Sequence, residues 1–242
     1  MKEHTQKTLI EDFDNISTAG WIPNYRTTSS GNVGNILEDL LGIEENNLSL
    51  PDAGEWEIKA QKVNLQPNSL LSLCAIEPEP RELKVVPYLV ETFGWTPTIW
   101  RSNYSATEKS FRQTLTSNWT SRGFRVCVTN RVEVQYKGDV PNYITPYWTF
   151  DDLRKKLQMK MKNLFSVIAV SKNIDGTENF NYCDGVMYEG FSFDNFLTEL
   201  STGNIRVDFN ARSGHNHGTK FRTNQSILTK LYTKITQLRK SK

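Results

Sequence analysis

The segment Pro51-Asp52-Ala53-Gly54-Glu55-Trp56-Glu57-Ile58-Lys59 carries the residue types that phosphodiester hydrolysis needs, at a workable spacing. That reaction asks for oxygen ligands that hold Mg²⁺ against a scissile phosphate, and the ion usually keeps several waters. A bound metal lowers the pKa of a water and offsets charge that develops in the transition state. A nearby ammonium group can orient the attacking water. Residues 55–60 alternate charged and apolar, which is the period of a strand. Residues two apart on a strand share a face, so Glu57 and Lys59 project together and Ile58 points the other way, into a core. Asp52 precedes the strand across a glycine-containing turn and could fold back so that its carboxylate meets that of Glu57. Asp52 and Glu57 are then the metal ligands, and Lys59 positions the nucleophilic water. Glu55 lies on the same charged face and is a rival ligand, although the Glu57-x-Lys59 spacing favours Glu57. The pattern alone also suits a strand face that is merely solvated.

The elements that must hold this segment can be read from periodicity. Gln6–Ile16 reads as a first helix, and Val33, Ile36, Leu37, Leu40 and Leu41 recur at helical spacing up to Gly42. Leu70–Ile76 is a second strand, ended by the proline-rich Glu77-Pro78-Glu79-Pro80. From Arg81 to Pro146 the chain shows scattered aromatics and polar turns, with neighbouring strands at Phe124–Val128 and Val132–Tyr136. Phe150–Lys162 is an amphipathic helix with Asp151 and Asp152 at its start and lysines further on, as the helix dipole favours. Phe165–Val170 is a buried strand, Asn173–Asn179 a hairpin turn, Phe193–Leu200 a short helix and Ile205–Phe209 a strand. Arg212–Phe221 is a polar loop, and Ile227–Leu238 reads as a final helix with a basic tail. Helices and strands mix without regular alternation, so the class is α/β or α+β.

The 242 residues suffice for one large domain or two lobes, and 37% hydrophobic content supports a packed globule. A formal net charge of +2 does not by itself point to nucleic acid, because a basic cleft can coexist with an acidic remainder. Cys74, Cys127 and Cys183 are odd in number and far apart, which suggests neither a disulfide framework nor a zinc site. The polar start and the lack of any apolar run of membrane length give the expectation of a reduced cytoplasmic protein.

A wider set of segments changes the weight of the carboxylate–lysine pattern. Gly20-Trp21-Ile22-Pro23, Gly31-Asn32-Val33-Gly34, Leu37-Glu38-Asp39-Leu40-Leu41-Gly42-Ile43-Glu44-Glu45-Asn46, Pro51-Asp52 and Glu57-Ile58-Lys59 follow one another in an order and spacing similar to the MvaI/BcnI type of restriction endonuclease. These enzymes belong to the PD-(D/E)XK nucleases and look like the mismatch-repair nickase MutH in their catalytic core. Val33 stands where the family's Gly-Asn-Thr-Gly signature has threonine. The resemblance implies the roles given above for Asp52, Glu57 and Lys59, and a supporting acidic role for Glu38.

His215-Asn216-His217-Gly218-Thr219-Lys220-Phe221-Arg222 resembles a second element of that family. A glycine-containing loop dense in donors can approach a phosphate or enter a groove, with Lys and Arg reading charge or guanine edges. The resemblance implies that one histidine sits near the scissile phosphate or the central base pair. His215 is carried as the catalytic candidate, and the choice between it and His217 stays open. Asn32, Arg112, Arg212, His217, Lys220 and Arg222 are the candidate DNA contacts. Arg112 belongs to a donor-rich cluster with Thr114, Thr116, Asn118, Ser121 and Arg122, where loops of ordinary composition look similar. His4 is expected in a disordered terminus.

The expected architecture is an α/β, PD-(D/E)XK restriction-endonuclease-like core with a mixed sheet flanked by helices and two lobes around a DNA cleft. Residues 1–80 would form the catalytic lobe, 81–190 the recognition lobe and 191–242 a segment with the DNA-contacting His/Arg loop. The expected activity is that of a type II restriction endonuclease, a Mg²⁺-dependent monomer (Mn²⁺ possible in its place) that nicks the strands of double-stranded DNA in turn. A cognate DNA methyltransferase would be its partner in the same system. Two other readings use the same residues: a MutH-like strand-specific repair nickase, and a DNA-binding protein with an inactive nuclease fold.

Overall fold

The computed structural model describes residues 4–26, 31–44, 50–63, 70–96 and 107–239. Residues 27–30, the Glu45-Asn46 end of the N-terminal motif, and Lys240 and Lys242 of the basic tail lie outside the described residues. The first elements in chain order are α1 (Gln6–Ala19), β1 (Ile22–Pro23), α2 (Asn32–Leu41), β2 (Trp56–Lys62) and β3 (Leu70–Ala75). There follow α3 (Val85–Phe93), β4 (Ser110–Leu115), β5 (Phe124–Val128), β6 (Val132–Tyr136), β7 (Tyr147–Trp148) and α4 (Phe150–Met161). The last are β8 (Asn163–Ile174), β9 (Thr177–Phe191), α5 (Phe193–Ser201), β10 (Ile205–Arg212), β11 (His215–Asn216), β12 (Lys220–Asn224), α6 (Leu228–Leu231) and β13 (Tyr232–Arg239).

The chain divides into two compact units built from non-consecutive segments. One takes residues 1–69, 158–192 and 228–242, and the other 70–157 and 193–227. The bounds expected from sequence follow chain order instead.

In the first unit a mixed sheet runs β1-β9-β8-β2, with β13 also paired to β9. β2 lies parallel to β8 with Glu57 opposite Leu164 and Lys59 opposite Ser166. β8 and β9 form a long antiparallel hairpin that turns at Asp175-Gly176, inside the expected turn. One sheet face carries Trp56, Ile58, Phe165, Val167 and Tyr182, which pack with Leu9 and Phe13 of α1 and Ile36, Leu37 and Leu41 of α2. This core is why α1 and α2 are amphipathic: each presents one apolar stripe to the sheet. Thr5 caps α1 by accepting from Thr8 N, and Gly42 ends α2 in the left-handed conformation that glycine adopts without a Cβ clash.

In the second unit one sheet runs β11-β10-β12-β3 with β4 on the free side of β10, and a second runs β5-β6-β7. β10 alternates strictly, with Ile205, Val207, Phe209 and Ala211 buried and Arg206, Asp208, Asn210 and Arg212 on the other face. The aromatic core joins Phe111 to Phe124 and Phe209, and Trp148 to Phe221. The Trp148 indole N–H, which burial would leave costly if unpaired, donates to Ile76 O at 3.0 Å.

Two expected elements differ: Arg212–Phe221, read as a loop, holds the end of β10, β11 and the start of β12, and the last helix is replaced by a strand. The final helix over Ile227–Leu238 is a single helical turn, α6, followed by the strand β13, which pairs antiparallel with β9 from Tyr232↔Phe191 to Arg239↔Asp184. Ile227, Leu231, Ile235 and Leu238 recur at helical spacing, but Tyr, Thr and Ile suit a pleated edge, and pairing with β9 satisfies the backbone. The stretch Arg81–Pro146 also holds more order than its composition suggests, since α3 and β4 lie within it.

Candidate active site

The turn before β2 places Asp52. Ala53 and Trp56 exchange backbone hydrogen bonds at 2.9 Å in both directions. Gly54, at φ +62°, completes this tight turn, and a Cβ there would stand 3.0 Å from His4 O. The chain therefore doubles back at once, and Asp52 Oδ2 accepts from Ile58 N at 3.0 Å. Among the described residues β2 is the last strand of its sheet, so an amide on its outer edge has no strand partner there, and the Asp52 carboxylate takes that place.

Glu57 departs from the solvated face that alternation suggests: it is fully buried, at 0% exposure. Its face of the sheet also holds Leu164, Ser166, Val186 and Tyr188, all buried, and the Tyr188 ring meets that of Tyr232. Lys59 Nζ donates to Glu57 Oε1. Lys160, near the end of α4, brings its Nζ to 3.1 Å from Glu57 Oε2. That approach has ion-pair distance but not hydrogen-bond geometry, since among the described residues the buried Oε2 has no hydrogen-bond partner. Burial pushes the Glu57 carboxyl above its ordinary range; Lys59 opposes this, Asp52 adds to it, and Lys160 opposes it. A buried carboxylate with one unsatisfied oxygen beside a second carboxylate suits a divalent cation. Among the described residues no group of three or more His, Cys, Asp or Glu side chains could hold a metal. Two carboxylates with the remaining positions left to water and phosphate is the usual arrangement for Mg²⁺.

Glu55, the rival ligand, is exposed and binds Lys162 at 2.7 Å. Glu38 is half-buried on α2. Its neighbour Asp39 is bound by Arg26 Nε at 2.9 Å and by Tyr25 Oη at 3.0 Å. The Arg26 hydrogen bond holds the Asp39 carboxyl below its ordinary range. Asn32 is buried and donates to Asn24 Oδ1 at 3.2 Å. His4 lies within the described residues, just before α1.

In the second unit, His215 and His217 are exposed, with ring centroids 4.2 Å apart. Glu77, from the proline-rich stretch, anchors their loop. It accepts from Asn216 Nδ2 at 3.0 Å and from Thr219 N at 2.9 Å. Loss of hydration, followed by the charges of His215, Arg112, Arg212 and Lys220, holds the His217 imidazole below its ordinary pKa. Arg112 is exposed opposite Asn210, Arg212 binds Glu108 at 2.6 Å, and Lys220 stands opposite Asp208. Arg222 is tied to Asp208 at 2.9 Å and to Leu70 O at 3.0 Å. The same face carries buried polar atoms of Arg206, Asn210, Arg222 and Asn224 that have no hydrogen-bond partner among the described residues. The structure thus gathers Asp52, Glu57 and Lys59 in one unit, and His215, His217, Arg112, Arg212, Lys220 and Arg222 in the other. Sequence reasoning missed Lys160, whose only signal was membership of a lysine-rich helix end, and Arg206 and Asn210, whose signal was the alternation of β10.

The sequence pattern of the MvaI/BcnI restriction endonuclease family matches residues 10–232. The chain belongs to the MvaI/BcnI restriction endonuclease family. As a member it is a type II restriction endonuclease, a site-specific deoxyribonuclease acting on DNA. Two solved structures share its MvaI/BcnI fold. Restriction endonuclease MvaI in complex with cognate DNA superposes with a TM-score of 0.78 at 24% identity, covering 97% of this chain and 99% of that one. MvaI without DNA gives a TM-score of 0.56 at 24% identity, covering 98% and 99%. No curated protein matches the sequence. Among the described residues of this MvaI/BcnI chain, no helix is long and apolar enough to cross a membrane.

Proposed function

We propose that this endonuclease hydrolyses one phosphodiester of double-stranded DNA at a time, with Asp52 and Glu57 holding Mg²⁺, or Mn²⁺ in its place. When bound, the metal supplies a water of lowered pKa and offsets charge at the scissile phosphate. The observation that carries this reading is the buried Glu57 carboxylate beside Asp52, with one oxygen on Lys59 and the other without a hydrogen bond among the described residues. Asp52 keeps its carboxylate fixed through the Ile58 amide. Lys59, 27% exposed, reaches from the buried carboxylate toward solvent, where its ammonium would orient the attacking water. Glu38 is assigned a supporting acidic role.

In the second unit, the exposed His215 and His217, with Arg112, Arg212, Lys220 and Arg222, are assigned to DNA contact, and Asn32 adds to it from the first. Glu77 keeps the histidine loop rigid, which limits the ordering cost on binding. One such site per chain suits a monomer that nicks one strand, then the other. A partner methyltransferase would protect the host DNA, and the enzyme would act in the cytoplasm.

The test is incubation of the purified protein with unmethylated plasmid and phage DNA in Mg²⁺ and in EDTA. Discrete fragments only with Mg²⁺ are expected, and end-sequencing then gives the site. Nicked circles that never become linear would replace this reading with a strand-specific nickase. Equal cleavage in EDTA would remove the metal from it.

A further inference from the structure

Glu57 sits between two ammonium groups that reach it from different elements. Lys59 shares its strand and binds Oε1. Lys160 arrives from the end of α4 and stands 3.1 Å from Oε2, with its side chain 21% exposed. A carboxylate at 0% exposure is costly unless cations accompany it. Lys160 provides charge there without the geometry of a hydrogen bond, and no donor among the described residues bonds Oε2. A long lysine stem at a helix end, part-exposed, can withdraw to solvent with little change to the fold.

We propose that Lys160 is a positioning residue that stands in for the divalent cation at Glu57: it holds the second carboxylate oxygen until a metal takes it, and then withdraws. This rests on the reading of Glu57 as a metal ligand and goes beyond it, because it makes Lys160 a competitor of the metal. Occupancy of the site is then set by an exchange of one cation for another.

Titration of the whole protein with MgCl₂ by calorimetry at pH 8, without DNA, tests the idea, with wild type beside Lys160→Met, Lys160→Arg and Glu57→Gln. Lys160→Met should bind Mg²⁺ roughly tenfold more tightly, as removal of one competing ion pair at a partly desolvated carboxylate implies. Its melting temperature in EDTA should fall, and added Mg²⁺ should restore it. Lys160→Arg, which keeps the charge, should stay near wild type. If Lys160→Met binds Mg²⁺ as weakly as wild type or more weakly, while Glu57→Gln binds none, the exchange is wrong and the metal site stands. If Glu57→Gln binds Mg²⁺ as wild type does, both fall. A measurement on the unaltered chain needs no variant to fold: acetylation of Lys160 by acetic anhydride, read by mass spectrometry, should rise when Mg²⁺ is added. Unchanged labelling would overturn the exchange.

Discussion

Asp52 reaches forward over a glycine turn to accept the outward amide of Ile58, the residue beside Glu57, at 3.0 Å. One hydrogen bond thus couples the position of the first proposed ligand to the strand that carries the second. Asp52→Asn keeps an acceptor for that amide and removes the charge. Its stability should stay within about 1 kcal/mol of wild type, the usual worth of one such bond. Cleavage should fall by roughly a hundredfold or more, as loss of one electrostatic stabiliser does. Thermal melts beside cleavage rates check both; equal activity would remove Asp52 from the metal site.

Glu57 gives a pH prediction with a definite sign. Its carboxyl is raised from an ordinary 4.5, burial being the largest cause. A raised carboxyl binds protons more tightly in the folded state than in the unfolded one. Its contribution to stability is full below the unfolded pKa and is lost as pH rises through the folded pKa. In EDTA the melting temperature should therefore decline as pH rises above that ordinary value, and Glu57→Gln should flatten that part of the profile. A Gln variant with the wild-type slope would show that another group is responsible.

Glu77 should act on binding rather than on chemistry. It anchors Asn216 and Thr219 around the histidine loop, in a different unit from Glu57. Glu77→Ala should weaken DNA binding several-fold and raise KM, with a smaller effect on kcat. A fall in kcat at unchanged KM would contradict this.

The sequence makes local order plain and distant order obscure. β5 and β6 lie where alternation puts them, because a short turn joins two strands that pair with each other. α2 and β2 are equally plain, since one apolar stripe and one alternating run meet in one core. β13 is misread because its partner β9 lies far back in the chain, and only that pairing turns a helix-like spacing into a strand. The Asp52, Glu57 and Lys59 set is legible because one turn and one strand contain it. The burial of Glu57 is not, because its cover comes from β8, β9 and Tyr232. Lys160 is hidden for the same reason: nothing around Glu57 in sequence predicts which helix end arrives there.

Lys59 is the residue whose loss should separate DNA binding from cleavage. Single-turnover cleavage of a DNA fragment containing the enzyme's own site should be measured in Mg²⁺ for wild type and Lys59→Ala, with binding of the same fragment measured in EDTA. Lys59→Ala should bind the fragment within a few-fold of wild type and lose cleavage by roughly a hundredfold or more. A Lys59→Ala enzyme that cuts at the wild-type rate would contradict the assignment of Asp52, Glu57 and Lys59 as the active site.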